Sequence, residues 1–283
     1  PPNQYAALAS AVLPDGNLVT VQYSTGQLLK YPDVDGQNPG TALATASAPG
    51  VNNVASVGGR TYGAILNGGI FEISSSLAIT PIATPGFVHS WGFWGNQVTG
   101  HLLASSDTGL YDINPLTGVS TRVTATGGFL DGVSVSPDGK TAYVSAFGKS
   151  RVLGFDIATG AQVFDSGDLS AHLPDGTGVI AGGPLEGYIV VNNNDGTVGL
   201  LNPSDATYVT IATGETGGDF ASADLNNGSL FLSAPSQSYR LSLASGSIGG
   251  GPVPEPATVG LFTLALGATG LLRRRRQIGR AHV

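Results

Sequence analysis

Apolar and polar residues alternate most clearly between Asp131 and Asp165 (DGVSVSPDGKTAYVSAFGKSRVLGFDIATGAQVFD). Alternation with a period of two predicts half-buried strands and not helices. Each turn between the alternating runs contains glycine, which supplies the positive φ that tight hairpins need. The segment is therefore predicted to be one antiparallel sheet of four strands: Gly132–Pro137, Thr141–Ala146, Arg151–Ile157 and Ala161–Asp165.

The first hairpin turn of this sheet recurs along the chain at intervals of 43, 37, 43, 48 and 41 residues. Four short strands every ~40–45 residues is the period of a β-propeller blade. The sequence predicts an all-β propeller of four-stranded blades over residues 1–243, with a stacked solenoid or an array of flat β-sandwiches as the alternative. The turns are placed at Asp15-Gly16, Gly58-Gly59, Gly95-Asn96, Asp138-Gly139, Glu186-Gly187 and Asn227-Gly228.

Six blades are visible, and the last, Asp219–Leu243, lacks an outer strand in the pattern. The chain begins Pro1-Pro2-Asn3, without the charged and apolar leader of an exported protein. We therefore expect that the natural N-terminus is missing and that the complete protein has seven blades, with six as the alternative.

The blade at residues 131–165 resembles the YVTN-type repeats of surface propellers. The resemblance rests on Ser136-Pro137-Asp138-Gly139-Lys140 and on Ile157-Ala158-Thr159-Gly160. It is confined to this blade, and it implies a place at the cell surface.

The C-terminal part of the chain is organised differently from the body. A Gly/Ser-rich linker, residues 244–253, leads to Val253-Pro254-Glu255-Pro256. Residues 257–272 then run for sixteen positions without a charge and end at Arg273, Arg274, Arg275 and Arg276. Arginines directly after an apolar segment favour a transmembrane helix with that end in the cytoplasm. A buried core helix that ends in a solvated charge run is the alternative.

Together, these three parts resemble the PEP-CTERM sorting signal, here residues 254–276. The resemblance implies recognition of Pro254, Glu255 and Pro256 by an exosortase, an integral membrane protease. It also implies a transient anchor in the inner membrane of a Gram-negative bacterium that makes exopolysaccharide, followed by delivery to the surface or the extracellular biofilm matrix. Residues 277–283 (QIGRAHV) do not belong to such a tail, and we interpret them as a sequencing artefact.

Charge and composition narrow the functional class. The net charge is −7, but five of the twelve Lys and Arg lie at or beyond Arg273, so the body is more acidic than the whole. Such a body argues against nucleic-acid binding, which needs basic patches. There is no cysteine, which excludes a disulfide framework, a thiolate metal site and a thiol nucleophile.

Ligands of propellers usually bind where the loops that enter the innermost strands converge. The residues predicted at that point are Asn53, His89, Asp131, Thr177 and Asp219. Two carboxylates, an amide and an imidazole could hold a hard cation such as Ca²⁺. This arrangement resembles the gluconolactonase-like propellers, which bind one divalent metal in the channel. The alternative is that these side chains cap strand starts and hydrate the channel mouth.

Other patterns are weaker. Asp33-Val34-Asp35-Gly36 begins like a calcium loop, but its glycine comes two residues early, so a polar turn is favoured. Trp91 and Phe93 alternate as one face of a core strand, and Trp94 on the other face is predicted to be exposed for stacking on a glycan ring. His89 is the only histidine predicted at the channel mouth, where it could take part in catalysis. A streptogramin-lyase-like enzyme is therefore a further alternative.

The sequence thus predicts an exported surface or matrix protein with a non-enzymatic binding propeller, no obligate cofactor, and exopolysaccharide or surface proteins as partners. The alternative is a metal-dependent lactonase or lyase that uses Asn53, His89, Asp131 and Asp219.

Overall fold

The computed structural model describes residues 8–33, 40–83, 90–125, 128–214, 217–234 and 237–242. The chain divides into two compact units, Pro1–Pro252 and Val253–Val283, and every described residue belongs to the first. The predicted linker, sorting signal, transmembrane helix, His89 and residues 277–283 lie outside the described residues. Within the described part of the chain, no helix is both long and apolar enough to span a membrane.

The described residues form six antiparallel sheets, which are the blades of a propeller. In each sheet, strands that are consecutive in the chain are hydrogen-bonded neighbours, so every blade is a simple meander. The prediction of an all-β propeller is confirmed. In the described residues the sixth blade has three strands, and the other five have four each.

Blades 1 to 3 contain twelve strands and one short 3₁₀ helix, Tyr23–Thr25. The strands of blade 1 are β1 (Ser10–Val12), β2 (Leu18–Gln22), β3 (Gln27–Tyr31) and β4 (Ala44–Ser47). Those of blade 2 are β5 (Val51–Val57), β6 (Arg60–Ile65), β7 (Ile70–Ile73) and β8 (Ile79–Ala83). Those of blade 3 are β9 (Gly92–Asn96), β10 (His101–Ser106), β11 (Gly109–Ile113) and β12 (Ser120–Thr124).

Blades 4 to 6 contain eleven strands in the described residues and 3₁₀ helices at Phe147–Lys149 and Gly183–Leu185. The strands of blade 4 are β13 (Val133–Val135), β14 (Thr141–Ala146), β15 (Arg151–Asp156) and β16 (Gln162–Asp165). Those of blade 5 are β17 (Pro174–Val179), β18 (Ile189–Asn193), β19 (Thr197–Leu201) and β20 (Tyr208–Thr213). Those of blade 6 are β21 (Ala221–Ala223), β22 (Leu230–Ala234) and β23 (Gln237–Leu241).

The core lies between the blades, because each sheet is covered on both faces. Phe93 on β9 belongs to the apolar cluster shared with blade 2, together with Val57. Trp94, the next residue, belongs to the cluster shared with blade 4, together with Val135. Alternate side chains of one strand therefore enter two different interfaces, and both are buried.

Two sequence predictions are corrected by this packing. Trp94 is only 5 % exposed, since the face opposite Phe93 is covered by the next blade and does not face solvent. The predicted turn at Gly95-Asn96 lies in β9 instead, and the chain turns over residues 97–100. A Cβ at Gly95 would lie 2.2 Å from the carbonyl oxygen of Ser56. The lack of a side chain at this position therefore allows blades 2 and 3 to pack closely.

The ring closes by direct contact of blade 6 with blade 1. Phe231 packs with Val12 in a cluster of these two blades. Asn226 Nδ2 donates to the carbonyl oxygen of Gly16 at 2.7 Å, and Arg240 on β23 binds the carboxylate of Asp33. These contacts leave no gap for the seventh blade that we expected, and the ring of the described residues has six.

Candidate functional site at the acidic end of the channel

The starts of the innermost strands lie together at one end of the channel. In blades 3, 4 and 5 this start contains a glycine that lies against the start of the next blade: Gly92, Gly132 and Gly176. A Cβ at Gly132 would lie 2.5 Å from the carbonyl oxygen of Asp175, and one at Gly176 would lie 2.1 Å from that of Asp219. The Gly132 N–H also donates to the carbonyl oxygen of Asp175 at 3.1 Å. Only glycine allows so close an approach of backbones, and this brings the neighbouring side chains into one cluster.

Three aspartates form this cluster, one from each of blades 4, 5 and 6. They are Asp131, Asp175 and Asp219, and each follows the last by 44 residues. Asp131 and Asp175 are each 7 % exposed. Because the three positions repeat with the blade period, the propeller symmetry itself sets the carboxyl groups side by side.

The carboxyl groups of Asp131 and Asp175 lie close enough for each to change the pKa of the other. Asn194 Nδ2 also donates to Asp175 Oδ2 at 2.6 Å. Two carboxylates can hydrogen-bond directly only if one of them carries a proton. A proton on either Asp131 or Asp175 therefore relieves the repulsion between the two carboxyl groups.

Burial is the main cause of their ionisation behaviour. Burial first, and then the charge of the nearby Asp219 carboxylate, raises the pKa of Asp131 to about 8. Burial and the charge of Asp131 hold the pKa of Asp175 well above its usual range. The pKa of Asp219 is raised by burial and by Asp175. Asp131 accordingly keeps its proton at neutral pH, where exposed aspartates have lost theirs.

Aromatic rings lie beside the acidic cluster. Trp91 and Phe129 contact each other with ring centroids 4.8 Å apart and planes inclined at 60°. The indole Nε1–H of Trp91 donates to Asp107 Oδ1 at 2.8 Å. Asp107 is close enough to Asp131 for its charge to add to the rise in the pKa of that carboxyl. This end of the channel thus combines carboxyl groups with partly exposed aromatic rings.

The structure separates the predicted site residues into two groups. Asp131 and Asp219 lie in the acidic cluster. Asn53 is 1 % exposed, and its Nδ2 donates to the carbonyl oxygen of Trp91 at 2.7 Å, so its side chain joins blades 2 and 3. His89 lies outside the described residues.

The structure does not place Thr177 at the channel mouth, where the sequence predicts it. This residue is fully buried, and its hydroxyl donates to the carbonyl oxygen of Tyr143 at 3.2 Å and contacts Ser134 Oγ at the same distance. The residue of blade 5 in the cluster is Asp175, two positions earlier. A bulge between Pro174 and Gly176 shifts the register of β17 against β18. The constant interval of 44 residues from Asp131 to Asp175 and on to Asp219 was the signal that could have identified it.

The fit of these residues to a calcium ion is mixed. Carboxylate and amide oxygens are the ligands that Ca²⁺ takes, and a cation would relieve the repulsion among the carboxyls. Ca²⁺ needs about 6–8 oxygens, however, and burial raises the pKa of these carboxyl groups, which disfavours the ionised form that binds a cation. No group of three acidic or histidine side chains in the described ranges is arranged to hold a metal. The donor chemistry suits calcium and the arrangement does not.

The sorting function rests on the tail. Residues 252–276 match the PEP-CTERM protein-sorting motif. The chain carries an exosortase sorting signal. It is therefore an exported protein, directed to the cell surface, and the prediction of a PEP-CTERM sorting signal is confirmed.

The propeller of this exported protein is similar to solved structures of the same architecture. One is a gluconolactonase from Xanthomonas campestris, with a TM-score of 0.64 and 16 % identity over 82 % of this chain and 84 % of that one. Another is a calcium-binding regucalcin from Agrobacterium tumefaciens, with a TM-score of 0.64 and 15 % identity over 87 % and 92 %. At these identities the likeness shows the fold alone. None of the curated proteins is significantly similar to the chain in sequence.

Proposed function

We propose that this protein is a cell-surface or extracellular-matrix component whose propeller binds a partner without catalysing a reaction. The observation that carries the proposal is the sorting motif on the same chain as the closed propeller. In this proposal residues 257–272 hold the chain in the inner membrane of a Gram-negative cell, with Arg273–Arg276 on the cytoplasmic side, until an exosortase acts near Pro254-Glu255-Pro256. Loss of surface delivery on alteration of that tripeptide is the test.

The acidic end of the channel supports a binding role for exopolysaccharide or for another surface protein. Carboxyl groups can donate and accept hydrogen bonds with sugar hydroxyls, and aromatic faces pack against the apolar side of a pyranose ring. Trp91, Phe129 and the three aspartates supply both kinds of group within one region. The fixed strand starts hold them without the ordering cost that a mobile loop would incur on binding.

The second candidate is a metal-dependent lactonase-like or lyase-like enzyme. Two observations favour it: the fold shared with a gluconolactonase and the three clustered carboxyl groups. In that candidate Asp131 and Asp219, with Asn53 and His89, would hold the metal. Asn53 already donates its amide to a neighbouring blade, which weighs against this set.

Calorimetric titration with CaCl₂ and an assay of glucono-δ-lactone hydrolysis separate the two candidates. For a binding module we expect no lactone hydrolysis above the spontaneous rate, with or without millimolar calcium. The matched variant is Asp131→Asn, which removes one ionisable group and keeps the shape of the side chain. Calcium binding together with hydrolysis that Asp131→Asn abolishes would support the enzyme and contradict our proposal.

A glycan array on the propeller, residues 1–252, tests the positive side of the proposal. We expect binding of at least one acidic or neutral polysaccharide fragment. The Trp91→Ala variant should bind it at least tenfold more weakly, because the aromatic face at the acidic end is lost. Absence of any binding on an array of bacterial exopolysaccharides would leave a purely structural matrix component as the better description.

A further inference from the structure

A second cavity lies at the opposite end of the channel from the aspartates. Its wall is formed where β9, β13 and β17 end and the chain turns outward. Strand ends meet strand ends there, since Asn96 Nδ2 of blade 3 donates to the carbonyl oxygen of Gly139 in blade 4 at 2.9 Å. The cavity has a volume of about 280 Å³. That is well above the 150 Å³ of an engineered cavity that accommodates a benzene ring.

The adjoining stretch of the channel is nearly closed. Its free volume is about 10 Å³, lined by inner-strand residues such as Ser10, Ser56, Phe93 and Ser222. A space of that size holds at most about one water molecule. The cavity shares no lining residue with the aspartate cluster, so it is a site distinct from the acidic end.

No charged side chain lines the cavity, and more of its wall is apolar than polar. Val98, Val135, Val179 and Ala181 supply its apolar surface. The polar side chains in the wall are used by the protein. Their hydrogen bonds run from Gln97 Nε2 to the carbonyl oxygen of Ser56 at 2.7 Å, from the Val98 N–H to Asn96 Oδ1 at 3.1 Å and from Ser136 Oγ to Asp138 Oδ1 at 2.6 Å.

Trp94 is the exception among these polar groups. It borders the cavity and is 5 % exposed, yet no residue in the described part of the chain accepts a hydrogen bond from its indole Nε1–H. A buried tryptophan usually finds such a partner. The indole nitrogen is also not one of the fully enclosed polar atoms that lack a partner in the described residues, so part of it is accessible. Trp94 lines both this cavity and the adjoining narrow space, and only the larger of the two has room for more than one water molecule. Trp94 is thus the hydrogen-bond donor available to a ligand in the larger cavity.

We propose that this cavity binds a small uncharged molecule with an aliphatic body and one acceptor oxygen, which takes the hydrogen bond from Trp94. An ion would lose its hydration without gaining a charged partner, and a sugar would leave most of its hydroxyls without partners. The class is that of medium-chain ketones, alcohols and esters. This site goes beyond the proposed surface function and does not depend on it.

The direct test is a titration of the ¹⁵N-labelled propeller with 2-heptanone, followed through the indole N–H signals. The sequence has two tryptophans, so two signals are expected, and Trp91→Phe assigns them. We expect a saturable downfield shift of the Trp94 signal and none of the Trp91 signal. Heptanoate and glucose should shift the Trp94 signal at concentrations at least tenfold higher, if at all. An unmoved Trp94 signal, or a stronger response to glucose, would overturn the proposal.

Variants locate the binding site. Val98 is 63 % exposed at the cavity rim, so Val98→Phe narrows the entrance without a change in the core. Val163→Phe is the matched control, at a valine of β16 that is 57 % exposed and away from the cavity. We expect Val98→Phe to weaken heptanone binding at least tenfold and Val163→Phe to leave it unchanged. Ala181→Phe, at another residue that lines the cavity, should act like Val98→Phe. Equal affinity in all three variants would place the binding elsewhere and contradict the assignment.

Discussion

At the scale of single residues, Asp131 links the propeller's stability to pH. Its carboxyl group is buried, and its pKa rises to about 8, whereas an ordinary aspartate has a pKa of 3.8. Between these two pH values the folded protein binds more protons than the unfolded chain. The free energy of unfolding therefore falls as pH rises through this window, and the contribution is fully present only below about pH 4.

The Asp131→Asn variant tests this linkage. Asparagine has nearly the shape of aspartate and cannot ionise, so we expect the variant to gain stability over wild type from pH 4 to pH 8, by roughly 1 kcal/mol or more at pH 8. Urea unfolding at pH 4.5, 6 and 8 measures it. Asp205→Asn is the control, because the pKa of that exposed carboxyl is lowered by hydrogen bonds from Thr207. Its difference from wild type should stay constant between pH 6 and 8. A pH-independent difference for Asp131→Asn would contradict the buried-acid account.

At the scale of elements, some glycines of the inner strands are needed for close packing. Their φ angle lies outside the positive range that favours glycine, so backbone conformation is not the reason for them. Gly132 is needed because a Cβ there would lie 2.5 Å from the carbonyl oxygen of Asp175 and 2.6 Å from the Cα of Gly176. Backbone atoms cannot yield as a flexible side chain can. The inner strands of blades 4 and 5 would have to separate.

We expect Gly132→Ala to lower the free energy of unfolding by about 1–3 kcal/mol, as overpacked cores do. Gly148→Ala is its control, since a Cβ at Gly148 would have no heavy atom within 4 Å. That substitution should change stability by less than about 0.5 kcal/mol. Thermal unfolding followed by circular dichroism compares the two variants. Equal stabilities would mean that the inner strands are packed less closely than described.

Alternation of side chains was enough to predict the strands of blade 4. The predicted strand Thr141–Ala146 is β14 as observed, and the prediction for Arg151–Ile157 exceeds β15 by one residue. Alternation could not tell how the two faces of a strand are covered, and Trp94 was expected at the surface for that reason. A pattern of alternation also takes no account of β-bulges. It therefore indicated Thr177, whereas the bulge in β17 brings Asp175 into the cluster.

At the scale of the whole molecule, closure of the ring depends on a charged contact between blades 6 and 1. The guanidinium of Arg240 binds Asp33 of blade 1 and lies 2.7 Å from the carboxylate of Asp224, which is fully buried. It also lies over the ring of Phe231, 4.9 Å from its centroid. The number of blades could not be derived from the sequence, because this contact joins residues 207 positions apart.

Arg240→Ala should destabilise the propeller by about 3–5 kcal/mol, because removal of one partner leaves buried carboxylates without their cation. Arg151→Ala is the matched control. Arg151 pairs with Asp165 at 2.9 Å, but the two side chains are 40 % and 36 % exposed. An exposed pair is worth about 0–1 kcal/mol. Chemical denaturation of both variants gives the comparison, and similar small losses would show that the ring does not depend on this contact.

The central claim is that an exosortase delivers this protein to the cell surface. The most direct test is to measure the location of the full-length protein in a Gram-negative host with and without its exosortase gene. Whole-cell immunodetection and fractionation would compare wild type, Glu255→Ala in the sorting motif and Glu186→Ala in the propeller. We predict surface protein for wild type and Glu186→Ala only when the exosortase is present, and membrane-retained protein for Glu255→Ala. Surface delivery that needs neither the exosortase nor Glu255 would contradict the account.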